Sequence, residues 1–200
     1  RSDAADYLED FWSGWIAAPM MNHIPHGGWA QLTLACMAVE ASALFWKPYA
    51  AWTGVHWVRT GKPDLPVQKP AGTSLHDEFH SEAAFGCMFC EVFRGKEPAT
   101  IALRDLAQVT YKVFRCGLAH RGLSKDCLDS EWLGVIGGQQ RVFKDLSGTD
   151  QCVLSIDPDK FSECVDSWFQ AEVLSRLRNG GAPDIDGAFK SWCGERWNVA

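Results

Sequence analysis

One stretch of the chain combines a permanent cation, a titratable base and small residues: Val113-Phe114-Arg115-Cys116-Gly117-Leu118-Ala119-His120-Arg121-Gly122. Arginine offers a planar fork of donors that matches phosphate oxygens and stays charged. Histidine moves a proton near neutral pH. Together they suit acid–base chemistry at a phosphate. Their spacing sets a condition. On a regular α-helix, residues five apart lie about 140° from each other. Arg115 and His120 converge on one ligand only if the helix bends or ends between them, and Gly117 and Gly122 permit that. The surroundings are basic: residues 106–125 hold Lys112, Arg115, Arg121 and Lys125 and no Asp or Glu. Lys112, Arg121 and Lys125 are therefore the candidate substrate-binding cations. A plainer reading stands beside this one. Basic residues favour helix C-termini, Arg115 can pair within the fold, and His120 can satisfy a helix end.

The other chemistry-bearing residues are less well arranged. His76, His80, Cys87 and Cys90 resemble a zinc set when written in order. Fourteen helical residues extend about 21 Å, however, and zinc reaches its ligands at only about 2.0–2.3 Å. One unbroken helix cannot bring all four to one ion, so no metal site and no cofactor are expected. His76 and His80 keep the alternative of joining ligands from elsewhere, and Cys87 and Cys90 read as small packing residues. His23 and His26 lie in the turn Met21-Asn22-His23-Ile24-Pro25-His26-Gly27-Gly28, which either lines a pocket or simply joins two helices. The sequence has no GxxxxGK[ST] loop, no GxGxxG after a strand and no GxSxG elbow. Nucleotide binding or nucleophilic hydrolysis of those kinds is unsupported.

The elements that must position these residues are mostly helical. Asp3–Ala18 carries Tyr7, Leu8, Phe11, Trp12, Trp15 and Ile16 at helical spacing, and Pro19 is expected to break it. Trp29–Trp46 is apolar on nearly every side, as a helix packed all round should be. Residues 48–74, with four prolines and three glycines, form an irregular loop. Leu75–Phe93 is a third helix, ended by Gly95 and Pro98, with Ser74 as its expected cap. Ile101–Ala119 is a fourth, with Thr100 as its expected cap and Gly122 at its close. Residues 139–156 have the pattern of a β-hairpin about Ser147-Gly148-Thr149-Asp150. Asp157-Pro158 opens the C-terminal helices of residues 157–200, with Phe161, Val165, Trp168, Phe169, Val173 and Leu177 as a core stripe. The fold class is all-α: a bundle of four to six helices with a small hairpin inserted near 139–156, in one domain over residues 1–200.

Bulk composition narrows the partners. The chain has 200 residues, net charge −6, ten Trp and eight Cys. Tryptophan at that density implies large aromatic cores or interfaces. The Cys spacings form no dense disulfide framework, so the thiols are expected reduced and buried. An 18-residue apolar helix extends about 27 Å, close to a bilayer core. Glu40 near its middle and the lack of flanking basic clusters argue for a core helix, not a membrane span. No signal peptide is visible, which points to a cytoplasmic setting. Set against net −6, the +4 of residues 106–125 leaves −10 on the other 180 residues. That excludes a broadly basic nucleic-acid binder but allows a local basic site.

Here the sequence resembles a family. Arg115-Cys116-Gly117-Leu118-Ala119-His120, late in a four-helix pattern, is similar to the RxxxxH signature of HEPN domains. The acidic, aromatic first helix, the His-Gly turn into a long apolar second helix and the Arg–His segment after a third helix follow the same order. The likeness covers roughly residues 3–122, with residues 158–180 as a later bundle helix. It implies an all-α bundle, a homodimer and a metal-independent endoribonuclease acting on RNA. Arg115 would stabilise the scissile phosphate and His120 would transfer a proton, at a cleft between two copies. The ribose 2′-hydroxyl would attack, leaving a 2′,3′-cyclic phosphate and a 5′-hydroxyl. One departure matters. The residue after the Arg is often polar in active members, and here it is Cys116, a weak donor and acceptor. That keeps open a non-catalytic module binding RNA, a nucleotide or a protein partner.

Overall fold

The computed structural model describes residues 2–21, 28–42, 81–118, 133–146 and 154–179. These residues are mostly helical, with one small sheet. Five helical rods appear. Rod α1 is α-helical over Ser2–Phe11, π-helical over Trp12–Ala17 and α-helical again over Ala18–Met21. Helix α2 is Gly28–Ser42 and α3 is Ser81–Val92. Rod α4 is α-helical over Leu103–Thr110 and π-helical over Tyr111–Leu118. Rod α5 runs Pro158–Trp168, with a π-helical stretch Phe169–Leu174 and a last turn Ser175–Arg178. Strands β1 (Leu133–Val135), β2 (Phe143–Asp145) and β3 (Leu154–Ile156) form a sheet in the order β1-β3-β2.

Helix α2 is the hub, packing on α1, α3, α5 and the π-helical end of α4. Its apolar surround explains why: Leu32, Ala35, Cys36, Ala38 and Val39 are buried on different sides. It is not covered all round, since Leu34 and Met37 are exposed. Gly28 matters at its start. A Cβ there would lie 3.1 Å from Val135 Cγ1 and 3.3 Å from Pro158 Cγ, so the absent side chain lets β1 and the head of α5 close on the hub.

The core beneath is aromatic. Phe93 meets Phe161 at 4.4 Å between centroids and Phe143 edge-on at 5.2 Å, and Phe89 joins the group. Each buried ring stabilises the fold by about 1.5–3 kcal/mol. Phe143 thereby fastens the sheet to α3 and α5. Trp12 stacks on Phe169 at 3.5 Å and 5°, and its indole N–H donates to Asp166 Oδ1 at 2.8 Å.

Several local expectations change. Pro19 does not end the first helix, which continues to Met21. The Ala18 N–H bonds Ser13 O, five residues back, so a widened turn precedes Pro19 and spreads the carbonyls its ring would strike. Only one line of the α1 stripe enters the core: Leu8 and Trp12 are buried, whereas Trp15 is 77% exposed. Thr100 does not cap α4. Its hydroxyl bonds the Asp145 carboxylate, and Ala102 holds the cap position without a side-chain bond. The antiparallel β2–β3 pairing lies within the expected hairpin, with Phe143 opposite Ile156. Strand β1, pairing parallel to β3, has no counterpart in the sequence reading. Asp157 caps α5 as expected, accepting from the Lys160 N–H at 3.0 Å with Pro158 at the first helical position. The turn at 147–150, the loop at 48–74 and the C-terminal stretch beyond 179 lie outside the described residues. No helix of the described residues is long and apolar enough to cross a membrane.

Candidate functional site

The basic segment begins where α4 changes its helix type. Tyr111 packs on Phe85 of α3 at 5.4 Å and Phe114 on Trp29 of α2 at 5.1 Å between centroids. These rings fix the segment against two helices. Arg115 follows Phe114 and meets Glu40 of α2. Arg115 Nε donates to Glu40 Oε2 at 2.5 Å, and Nη2 donates to Oε1 at 3.4 Å. The Glu40 side chain is 9% exposed and that of Arg115 is 19%.

Magnitudes decide what this pair does. Burying each ion costs several kcal/mol of hydration, and the mutual attraction roughly repays it when geometry is good. The pair is therefore not a large net source of stability. Its consequence is orientation: a carboxylate on the Nε edge fixes the plane of the guanidinium. Cys36, one helical turn before Glu40, is fully buried. Burial pushes its thiol well above the ordinary range, Arg115 pulls it down and Glu40 pushes it up. That thiol stays neutral.

The helix type around Arg115 also differs from the one assumed in the sequence reading. The 140° separation belongs to an α-helix, but Tyr111–Leu118 is π-helical. In an α-helix the hydrogen-bonded residues i and i+4 share a face. In a π-helix the bonded residues are i and i+5, the Arg115–His120 spacing.

Of the expected site residues, Arg115 is half-buried in this segment and Lys112 is exposed on it. His120, Arg121 and Lys125 lie outside the described residues, as do His23, His26, His76 and His80, and nothing is described of the Cys116 side chain. Cys87 and Cys90 sit on α3, one buried and one half-buried, as free thiols, and so are Cys36 and Cys164. Among the described residues no three His, Cys, Asp or Glu side chains are grouped to hold a metal ion.

Glu40 is the residue that sequence reasoning did not connect to the site. Its signal was present: a lone carboxylate in an otherwise apolar helix needs a buried partner. The partner lies 75 positions away, and a sequence pattern of local period does not reach that far. Comparisons with protein-family models, curated proteins and solved structures each give no match.

Proposed function

We propose that this protein is a HEPN-like, metal-independent endoribonuclease whose active site pairs Arg115 with His120. The observation that carries the reading is the π-helical stretch containing Arg115. Its bonding period of five matches the five-residue Arg–His spacing. In this reading both side chains meet one phosphate.

Arg115 binds the non-bridging oxygens of the scissile phosphate and stabilises the charge of the transition state. The 2′-hydroxyl forms the new O2′–P bond and the P–O5′ bond breaks. One His120 takes the 2′-hydroxyl proton, and the His120 of a second copy delivers a proton to the departing 5′-oxygen. Lys112, Arg121 and Lys125 hold neighbouring phosphates.

A second reading has its own support. Glu40 engages two N–H donors of Arg115, and Cys116 stands where active members often carry a polar group. Both fit a module that retains RNA or a protein partner without cleaving it.

The test is incubation of purified protein with RNA in the presence of a chelator, alongside Arg115→Ala and His120→Ala. The ribonuclease reading expects each variant to lose about 10²–10⁴ of the cleavage rate. A DNA strand, which lacks the 2′-hydroxyl, should stay intact. RNA retained but uncut by the wild-type chain favours the second reading. Cleavage equal in wild type and both variants removes the Arg–His assignment.

A further inference from the structure

We infer that Glu40 is the positioning residue of the site: it holds the Arg115 guanidinium at a fixed orientation for a phosphodiester. The inference rests on the proposed role of Arg115 as the phosphate-binding group. Its basis is geometric. A guanidinium has five N–H donors in a rigid plane. Two of them, on the Nε side, meet the two oxygens of one carboxylate. Such a side-on grip leaves the long side chain little freedom to swing or twist.

The carboxylate itself is well anchored. Glu40 is 7% exposed and stands in the last turn of the hub helix as described, directly after Ala38 and Val39, which are both buried. Burial makes its attachment to Arg115 strong, because neither group has water as a ready alternative partner. Phe114, the residue before Arg115, packs on Trp29 and limits motion of the backbone that carries Arg115. The same arrangement has an electrostatic cost, since a carboxylate beside the arginine weakens its pull on a phosphate. Glu40 is thus expected to reduce ground-state affinity while improving alignment in the transition state, and these two effects separate in kinetics.

The experiment uses the full chain, a defined RNA oligonucleotide and the variants Glu40→Gln and Glu40→Asp. Gln keeps the shape and removes the charge. Asp keeps the charge and withdraws it by one methylene, providing a second variant should Gln fold poorly. Thermal melting establishes that each variant is folded. Two readings are taken: kcat and KM separately, and the Nε–Hε NMR signal of Arg115, assigned through Arg115→Lys.

For Glu40→Gln, kcat should fall by about 10- to 100-fold, the effect of a modest misplacement, with KM unchanged or lower. Glu40→Asp should fall between it and wild type. The Arg115 Nε–Hε signal should be sharp in wild type and broadened by exchange in Glu40→Gln. A folded Glu40→Gln protein with wild-type kcat, or with an unaltered Arg115 signal, overturns the assignment of Glu40. A kcat that rises in Glu40→Gln also overturns it, by making Glu40 a restraint on Arg115. A wild-type chain that leaves RNA intact overturns the ribonuclease reading first, and the catalytic role of Glu40 falls with it.

Discussion

Glu40 and Asp157 are both buried carboxylates, 7% and 1% exposed, and they are satisfied in unlike ways. Asp157 is held by backbone. One oxygen accepts from the Lys160 N–H at 3.0 Å and the other from the Gln139 N–H at 2.7 Å. Around it the network continues: the Asp157 N–H donates to Val142 O at 2.8 Å, and the Ser155 hydroxyl donates to Gln139 Oε1 at 2.8 Å. Glu40 instead meets one long, charged side chain from another helix. Backbone amides cannot leave Asp157 without undoing a helix start and a loop. The Arg115 fork is gripped by a single side chain, which fixes its plane without a backbone joint. The first arrangement suits a structural joint, and the second suits the orienting of a charged group, as the proposed role of Arg115 requires.

The comparison is most exposed by breaking each pair from one side. Glu40→Met takes the Glu40 carboxylate from a half-buried Arg115, and should cost up to about 3 kcal/mol, the low end for breaking a buried pair. Glu40→Met with Arg115→Met removes both charges, and should recover most of that loss, because apolar replacements of a buried pair are close to neutral. Urea denaturation of the single and double variants measures both. A double variant as unstable as the single one would make the pair a stability device like Asp157, and the contrast would fail.

Asp157→Ala comes next, at about 1–3 kcal/mol, from loss of the cap and an unpaired Gln139 N–H. Asp157→Asn should cost less, since Asn caps nearly as well. Neither should alter the rate of the proposed RNA cleavage by folded protein. A fall in kcat for well-folded Asp157→Asn would join the sheet end to the active site and erase the distinction.

These two regions also differ in how far the sequence disclosed them. Asp157-Pro158 is a local signal, a cap followed by the one residue that suits the first helical position, and the structure has that cap. The stripe from Phe161 through Leu177 is likewise local, and its members Phe161, Val165, Phe169, Val173 and Leu177 are all buried. The Glu40–Arg115 pair is not local. Each residue looked unusual alone, yet nothing in a helical period joins positions 75 apart. The π-helical stretches were equally hidden, because an i→i+5 turn uses the same residue types as an α-helix. Strand β1 escaped for a further reason: it is three residues long, and its pairing partners in β3 lie twenty-one positions on. Its only sequence signal is a short apolar run broken by Gly134. As for the Arg–His pair, the motif was legible in the sequence, but of its two members only Arg115 is among the described residues.

The smallest expected effect concerns buried polar groups with no ion of opposite sign to compensate them fully. Cys87 and Cys90, one turn apart on α3, are such groups. Burial first, and then the negative charge of Glu91, push the Cys87 thiol up to about 12 and the Cys90 thiol up to about 11. In the unfolded chain a thiol titrates near about 8.5. The folded state therefore holds these protons more tightly than the unfolded state. Their contribution to stability is fully present below pH about 8.5 and is lost as the pH rises toward about 11. Melting temperatures of wild type and a Cys87→Ala, Cys90→Ala variant, taken from pH 7 to pH 10, measure this contribution. The wild type should lose the more stability above pH 8.5, because it carries two more thiols that ionise on unfolding than the variant does. Parallel curves would mean that α3 lets its thiols ionise in place, and that burial near the aromatic core is no barrier to charge. The same barrier is what makes a partner obligatory for Glu40, so parallel curves would also weaken the case that Arg115 is held where it is by electrostatic necessity.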